Sequence, residues 1–369
     1  MIYLDYAANT PVNKEVLDTF YEVSLTYIGN PNSPHHLGIL ASERLQQSTK
    51  QIAKLLGAKE NEVIYTSGAS ESNNMAIKGI ATSCRRNGKH IITTYLEHAS
   101  VTGPITVLQN DGYEVDFVDI LDNGQVDLVH LKELIREDTI LVSICYVDSE
   151  VGVMQPIEEI SELLYTYPNC NFHVDATQAV GKLPVIFGKV DLMTFSGHKF
   201  YGLNGCGVLL KKDSVILEPL IHGGLSTTTF RSGTPMLALA AATEKALTLS
   251  MDQLEIRYNY VKQLNNKLRD AFVKYKDVRI NSPKEGSPFI LNLSIKGINT
   301  SNLQSELGQY EIYVATNSAC CAPNTVSRPI YAMTKDRKLA LSTLRISLSH
   351  LTSTEDIDRF LECFELCYH

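Results

Sequence analysis

The chain alternates between two periodicities. Between about residues 14 and 250, apolar residues at three- and four-residue spacing predict helices over 14–27, 39–56, 71–87, 100–111 and 156–167. Short apolar runs separate them at 62–66, 90–94, 114–118, 140–147, 171–174, 192–195 and 207–210. Such runs read as strands buried on both faces. The alternation predicts an α/β fold, a mostly parallel sheet with helices on both faces. A long helical region over 235–275 leaves this unit. The remainder, from about 278, carries strands at 289–295 and 344–348 and terminal helices, the pattern of a smaller α+β domain. No internal repeat or low-complexity linker interrupts the chain.

Ligands of parallel sheets bind beyond the carboxyl ends of the strands. Two polar segments at such ends stand out. His173-Val174-Asp175-Ala176-Thr177-Gln178 closes one apolar run, and Ser196-Gly197-His198-Lys199-Phe200-Tyr201-Gly202 closes the next. An isolated Lys or Asp is ordinarily a solvated surface residue. A lysine among Gly, His and Ser, 24 residues after an acid at the same edge, suits pyridoxal 5'-phosphate (PLP). The amine engages the aldehyde, and the acid keeps the pyridine nitrogen protonated so that the ring accepts electrons.

Three further segments extend this reading. Thr66-Ser67-Gly68-Ala69-Ser70-Glu71 leaves a strand and opens a helix, where free N–H groups and the helix dipole favour a phosphate. Alone it also reads as a capped loop. With Lys199, and with Ser196 and His198 as further donors, the phosphate reading gains. Glu97-His98 follows another strand end. Its imidazole suits covering one face of the pyridine ring or moving a proton, although a lone His is more often structural. Asn317-Ser318-Ala319-Cys320-Cys321-Ala322-Pro323-Asn324 places adjacent cysteines in a small-residue loop. Free cysteines are mostly buried and inert, so this setting points to a reactive thiolate.

Composition narrows the class. The 369 residues suffice for two domains, and 44% hydrophobic with 20% charged residues is ordinary for a globular protein. A net charge of −8 gives no general reason to expect nucleic acid as a partner. No apolar run approaches the roughly 18 residues a membrane span needs. No signal or transit segment is evident, so a cytoplasmic location is the expectation. The eight cysteines form no CxxC pair and are expected to be mostly reduced, with little support for a metal site. Cys363, Cys367 and His369 read as a metal clip or, preferably, as the apolar face of a terminal helix.

These segments, in this order, resemble the cysteine desulfurases typified by the bacterial nitrogen-fixation and iron–sulfur assembly enzymes, within the class V aminotransferases. Leu4-Asp5-Tyr6-Ala7-Ala8, Gly29-Asn30-Pro31-Asn32-Ser33-Pro34-His35, Arg231-Ser232-Gly233-Thr234, Ser318-Ala319-Cys320 and Leu344-Arg345-Ile346-Ser347-Leu348 add to the set. The resemblance runs from Tyr3 to about Ile357. It implies a fold-type I PLP-dependent transferase, a homodimer, with a large PLP-binding domain over 13–250. Residues 1–12 and 251–369 would form a small domain that carries the cysteine loop. It implies that Lys199 carries PLP, Asp175 pairs with the ring nitrogen, Gln178 bonds the phenolic oxygen and His98 stacks on the ring. Ala69, Ser70, Ser196 and His198 would hold the phosphate, with Thr234 reaching in from the other subunit. Arg345 would bind the carboxylate of L-cysteine, and Cys320 would take its sulfur and pass it to an acceptor protein. No direct nucleic acid or membrane contact is expected.

Several positions depart from the family pattern. Ser149 stands where an Asn usually contacts both cofactor oxygen and substrate carboxylate. Gly223-Gly224-Leu225-Ser226 replaces a longer glycine run, Leu203-Asn204 replaces Pro-Lys, and Ser349-His350 replaces Gly-Arg. Cys321 adjoins the expected nucleophile. Substrate preference and sulfur acceptor therefore stay open at this stage. Competing readings are a selenocysteine lyase or cysteine sulfinate desulfinase, and a weakly active PLP-binding scaffold. An aminotransferase would leave the cysteine loop unexplained.

Overall fold

The computed structural model describes residues 1–224, 226–316 and 325–368. Leu225 and the segment with Cys320 and Cys321 lie outside the described residues. The chain opens with β1 (Ile2–Tyr3), α1 (Lys14–Thr26) and α2 (His36–Leu56). The alternating region follows: β2 (Val63–Thr66), α3 (Ala69–Ser83), β3 (His90–Thr93), α4 (Ala99–Asn110), β4 (Glu114–Phe117) and α5 (Leu128–Leu134). It continues with β5 (Thr139–Cys145), α6 (Ile157–Leu164), β6 (Asn171–Asp175), β7 (Leu192–Ser196) and β8 (Gly207–Lys211). Each predicted helix and strand of this region is present. The unpredicted α5 buries only Leu131 within its span, so it leaves little apolar period to read.

These strands form one sheet in the order β2-β8-β7-β6-β5-β3-β4. Every pairing is parallel except those of β8, which runs antiparallel to both β2 and β7. Six strands therefore point one way, and the carboxyl ends of β2, β3, β5, β6 and β7 share one edge. Burial on both faces explains the continuous apolar runs. Ile92, Val142, Val208 and Leu210 face a core shared with α1, α2 and α7 (Leu237–Asp252), while Ile91, Leu141 and Leu209 face a core shared with α3 and α4.

The predicted helical region over 235–275 is two helices, α7 and α8 (Leu254–Phe272), meeting at Gln253. Beyond them lie β9 (Val278–Ile280), β10 (Ile290–Ile295), α9 (Thr300–Gln309), β11 (Ile312–Tyr313), α10 (Arg328–Thr334), α11 (Arg337–Leu341), β12 (Thr343–Ser347) and α12 (Thr354–Cys367). An antiparallel sheet, β12-β10-β9, and a parallel pair, β1-β11, build this part. Its core gathers Leu4, Leu268, Leu291, Leu344, Phe360 and Phe364. Cys363 is buried in the same cluster, on the inner face of α12. No described helix is long and apolar enough to cross a membrane.

One close approach ties the sheet to the edge that matters. Gly207 opens β8 and pairs with both Thr66 and Ser196, the last residues of its neighbours. A Cβ on Gly207 would lie 2.4 Å from the carbonyl carbon of Gly68, below real contact distances. The Gly68 backbone at the start of α3 therefore rests directly on Gly207. Gly207→Ala is expected to force that backbone outward and to destabilise the protein by about 2–3 kcal/mol. Guanidinium unfolding checks this, and a loss below about 0.5 kcal/mol would refute the close packing.

Candidate active site

The shared strand edge opens into a cavity of about 390 Å³. Its lining includes Gly68, Ala69 and Ser70 after β2, and His98 after β3. Ser149 follows β5, Asp175 and Gln178 come from β6 and its turn, and His198 and Lys199 follow β7. Arg345 of β12 and the Ala7-Ala8 peptide close it from the other core. Seven separate segments thus converge on one space.

Lys199 sits in a single 3₁₀ turn, Gly197–Lys199. Its Nζ donates to the carbonyl oxygens of Ala8 (2.6 Å) and Ala7 (2.9 Å). Thr10 fixes the turn by donating to the His198 carbonyl (2.8 Å) while accepting from the Tyr201 N–H (2.7 Å). Opposite, Asp175 accepts from Asn73 Nδ2 (2.8 Å) and from the Thr177 N–H (3.0 Å). Asn73 reaches it from α3 and also donates to Ser100 Oγ (2.9 Å). Its role carries no signal in the sequence, although it lies one helical turn after Ser70.

His98 caps α4 with its own ring, because Nδ1 accepts from the Ser100 N–H (3.1 Å). An accepting Nδ1 carries no proton, so a neutral ring holds its hydrogen on Nε2. Burial lowers the His98 pKa, which favours that neutral form. His198 is pushed down to about 4, first by burial and then by the charges of Lys199 and Lys182. Its Nδ1 meets Ser196 Oγ at 2.9 Å. Ser196 itself is fully buried and donates to the Cys206 carbonyl (3.0 Å), so it stands behind His198 rather than on the cavity wall.

At the start of α3 the N-cap is Gly68, with no side-chain cap for the first N–H groups. Glu71 accepts from the Ser67 N–H (2.7 Å) and pairs with Arg231 (3.0 Å). Burial raises the Glu71 pKa, but its bonds from Ser67 and Arg231 more than offset this and hold it below normal. Thr234 lies elsewhere, in a small cleft with Tyr65 and Arg231.

Arg345 is buried, with 2% exposed. It donates to Asp5 Oδ1 (2.7 Å) and to the Ser149 carbonyl (2.9 Å), while its Nε has no partner among the described residues. A buried guanidinium with an open N–H is set to take a carboxylate.

The residues present fit PLP. They supply an amine, an acid held by two donors, uncapped amides at a helix start above a side-chain-free glycine, and a flat neutral ring, all facing one cavity. A family model, aminotransferase class-V, matches residues 2–360. The chain belongs to the class-V aminotransferase family. Among its relatives, a NifS/IcsS protein homolog of Lactobacillus delbrueckii subsp. bulgaricus is 39% identical over 100% of this chain and 97% of its own length. Cysteine desulfurase IscS of Dictyoglomus turgidum is 36% identical over 99% of this chain and 93% of its own. A solved NifS-like protein, 34% identical, superposes with a TM-score of 0.93 over 99% of this chain and 98% of its own. This membership agrees with the fold-type I architecture and PLP as cofactor.

Glu97, next to His98, is 2% exposed. Its Oε1 accepts from Thr94 Oγ1 (2.8 Å) and the Cys145 N–H (2.8 Å), joining the His98 turn to the end of β5. Burial raises its pKa to about 8 from 4.5, against those bonds and with the Asp175 charge adding to the rise. The folded protein thus keeps a proton that the unfolded chain releases, so stability falls as pH rises from about 4.5 to 8. Glu97→Gln is expected to flatten this slope, as read by urea unfolding between pH 5 and 8. An unchanged slope would refute a neutral Glu97.

Proposed function

We propose that the protein is a PLP-dependent cysteine desulfurase. It converts L-cysteine to L-alanine and passes the sulfur through a persulfide on Cys320 to an acceptor protein, for iron–sulfur cluster assembly or thio-modification. The observation that carries the reading is Lys199, Asp175 and Arg345 facing one cavity in a chain of this family. PLP, when bound, supplies an aldehyde for amines and a ring that takes up the electron pair left at the substrate α-carbon.

The chain's own residues do the rest. Lys199 would hold the cofactor through its amine, and the same amine is the base for the α-proton. Asp175, fixed by Asn73 and the Thr177 N–H, would pair with the ring nitrogen. Gln178 would donate to the phenolic oxygen, and His98 would cover the ring. The amides at Ala69 and Ser70 would hold the phosphate with His198, whose Nδ1 meets Ser196. Arg345 and the Ser149 segment take the substrate carboxylate. The Cys320 thiolate then attacks the substrate sulfur. An S–S bond forms, the C–S bond breaks, and the departing carbon takes a proton on the way to alanine.

A homodimer, with Thr234 entering the partner's site, accompanies this reading. Leu17, Tyr21, Leu25 and Ile28 form an exposed apolar stripe along α1 and just past it, which supports a covered face. Light scattering is expected to return twice the 41.0 kDa of the chain, and a monomer would refute the shared site. We also propose a large domain over 13–250, a small domain of 1–12 and 251–369, and a cytoplasmic location.

The PLP-loaded protein is expected to make alanine from L-cysteine and to carry an added sulfur on Cys320, seen by peptide mass spectrometry. Cys320→Ala is expected to lower alanine output more than about a hundredfold while leaving the PLP absorption intact. Undiminished turnover by Cys320→Ala would overturn the desulfurase reading in favour of a nucleophile-independent lyase acting on selenocysteine or cysteine sulfinate.

A further inference from the structure

Lys182 is a lysine the mechanism does not use. It is buried, with 6% exposed, and has no carboxylate partner among the described residues. Its hydrogen bond runs to the side chain of Gln178, Nζ to Oε1 at 2.8 Å. On its other side the Gln178 amide donates from Nε2 to the Ala7 carbonyl (2.9 Å), the same oxygen that accepts from Lys199. The amide orientation is unambiguous. A carbonyl only accepts and an ammonium only donates, so Nε2 must face Ala7 and Oε1 must face Lys182. The second hydrogen on Nε2 is left for the cavity that Gln178 lines.

An ammonium buried without a counter-ion is costly, and it persists where something else meets its charge. Lys199 and Arg345 are the cations that act on it; Asp5 balances Arg345 and Asp175 lines the same cavity, but among the described residues no carboxylate meets the Lys182 ammonium itself. A ligand that brings an anionic oxygen to Gln178 would answer both features. This inference rests on the PLP reading above, in which that oxygen is the cofactor's phenolic oxygen.

We infer that Lys182 is a positioning residue for the cofactor: it locks the Gln178 amide toward the phenolic oxygen and sets a buried positive charge behind that bond. The charge has a definite electrical consequence. A nearby cation repels any proton the cofactor chromophore gains, so it lowers the pH at which the visible absorption changes. Burial pushes the Lys182 ammonium down to about 7, with Lys199 and Arg345 adding to the fall. An anionic oxygen in the cavity favours the charged form again.

The test uses the full-length protein loaded with PLP and titrates its visible absorption against pH. Three variants separate the contributions. Lys182→Met removes bond and charge, Lys182→Gln keeps a donor for Gln178 without the charge, and Lys182→Arg keeps both. The midpoint is expected to rise by about one pH unit in Lys182→Met and Lys182→Gln and to stay with wild type in Lys182→Arg. A midpoint unmoved in Lys182→Gln, with only thermal stability or PLP content reduced, would make Lys182 merely structural and overturn the inference. Should Lys182→Met fail to fold, Lys182→Gln and Lys182→Arg still decide it. A wild-type protein that gains no visible band with PLP would overturn the cofactor reading and this inference with it.

Discussion

The carbonyl oxygen of Ala7 is the point on which the site depends. It accepts from Lys199 Nζ and from Gln178 Nε2, both at 2.9 Å, using the two lone pairs a peptide carbonyl offers. It serves only because the segment that carries it is pinned along its length. Leu4 is buried in the second core, Ser347 N–H donates to the Leu4 carbonyl (2.7 Å), and Ser347 Oγ accepts from the Ala7 N–H (3.0 Å). Thr10 then ties the chain to the Lys199 turn. A strap of a few residues therefore runs from β12 to the Lys199 turn and sets both ends relative to the cavity.

The same strap balances Arg345. Burying a guanidinium unpaired is expensive, and Asp5 meets its charge at 2.7 Å while the Ser149 carbonyl takes a second donor. The Ser149 loop is itself anchored across cores. Asn292 of β10 donates to the Glu150 carbonyl (3.0 Å), and Ser327 donates to the Glu150 carboxylate (2.7 Å). Arg345 thus sits where three segments agree, which fixes its guanidinium before any substrate arrives. Preorganisation of this kind reduces the ordering that ligand binding would otherwise require.

Much of this was legible in the sequence because one physical rule generates it. Strands buried on both faces leave continuous apolar runs, and ligand residues follow their ends, so Asp175, Lys199, His98 and the Ser67–Ser70 turn announced themselves. The order of strands did not, since pairing β8 between β2 and β7 depends on contacts far apart in sequence. Nor did partnerships made through space. Nothing in the sequence pairs Asp5, Asn73 or Lys182 with Arg345, Asp175 or Gln178; the fold does. Ser196 reads as a phosphate donor from its neighbours in sequence; in the fold its hydroxyl meets both the Cys206 carbonyl and His198 Nδ1. Thr234 lies apart from the cavity within its own chain.

The acids around the site show how burial competes with hydrogen bonds for a carboxyl proton. Glu97 and Asp148 are both buried with an oxygen that has no partner among the described residues, and burial raises them to about 8 and about 7. Asp175 lies close enough for its charge to act on Glu97, and it accepts from Asn73 and the Thr177 N–H. Glu97 and Asp148 also accept two bonds each, from Thr94 and the Cys145 N–H and from the N–H groups of Glu150 and Val151, but in these two burial outweighs the donors. Glu97 and Asp148, which stand behind the cavity lining, are thus driven toward the neutral form by burial, whereas Glu71, which lines the cavity, is held below its normal pKa by its bonds from Ser67 and Arg231. Position in one low-dielectric region does not set an acid's charge by itself; the balance of burial against its donors and neighbouring charges does.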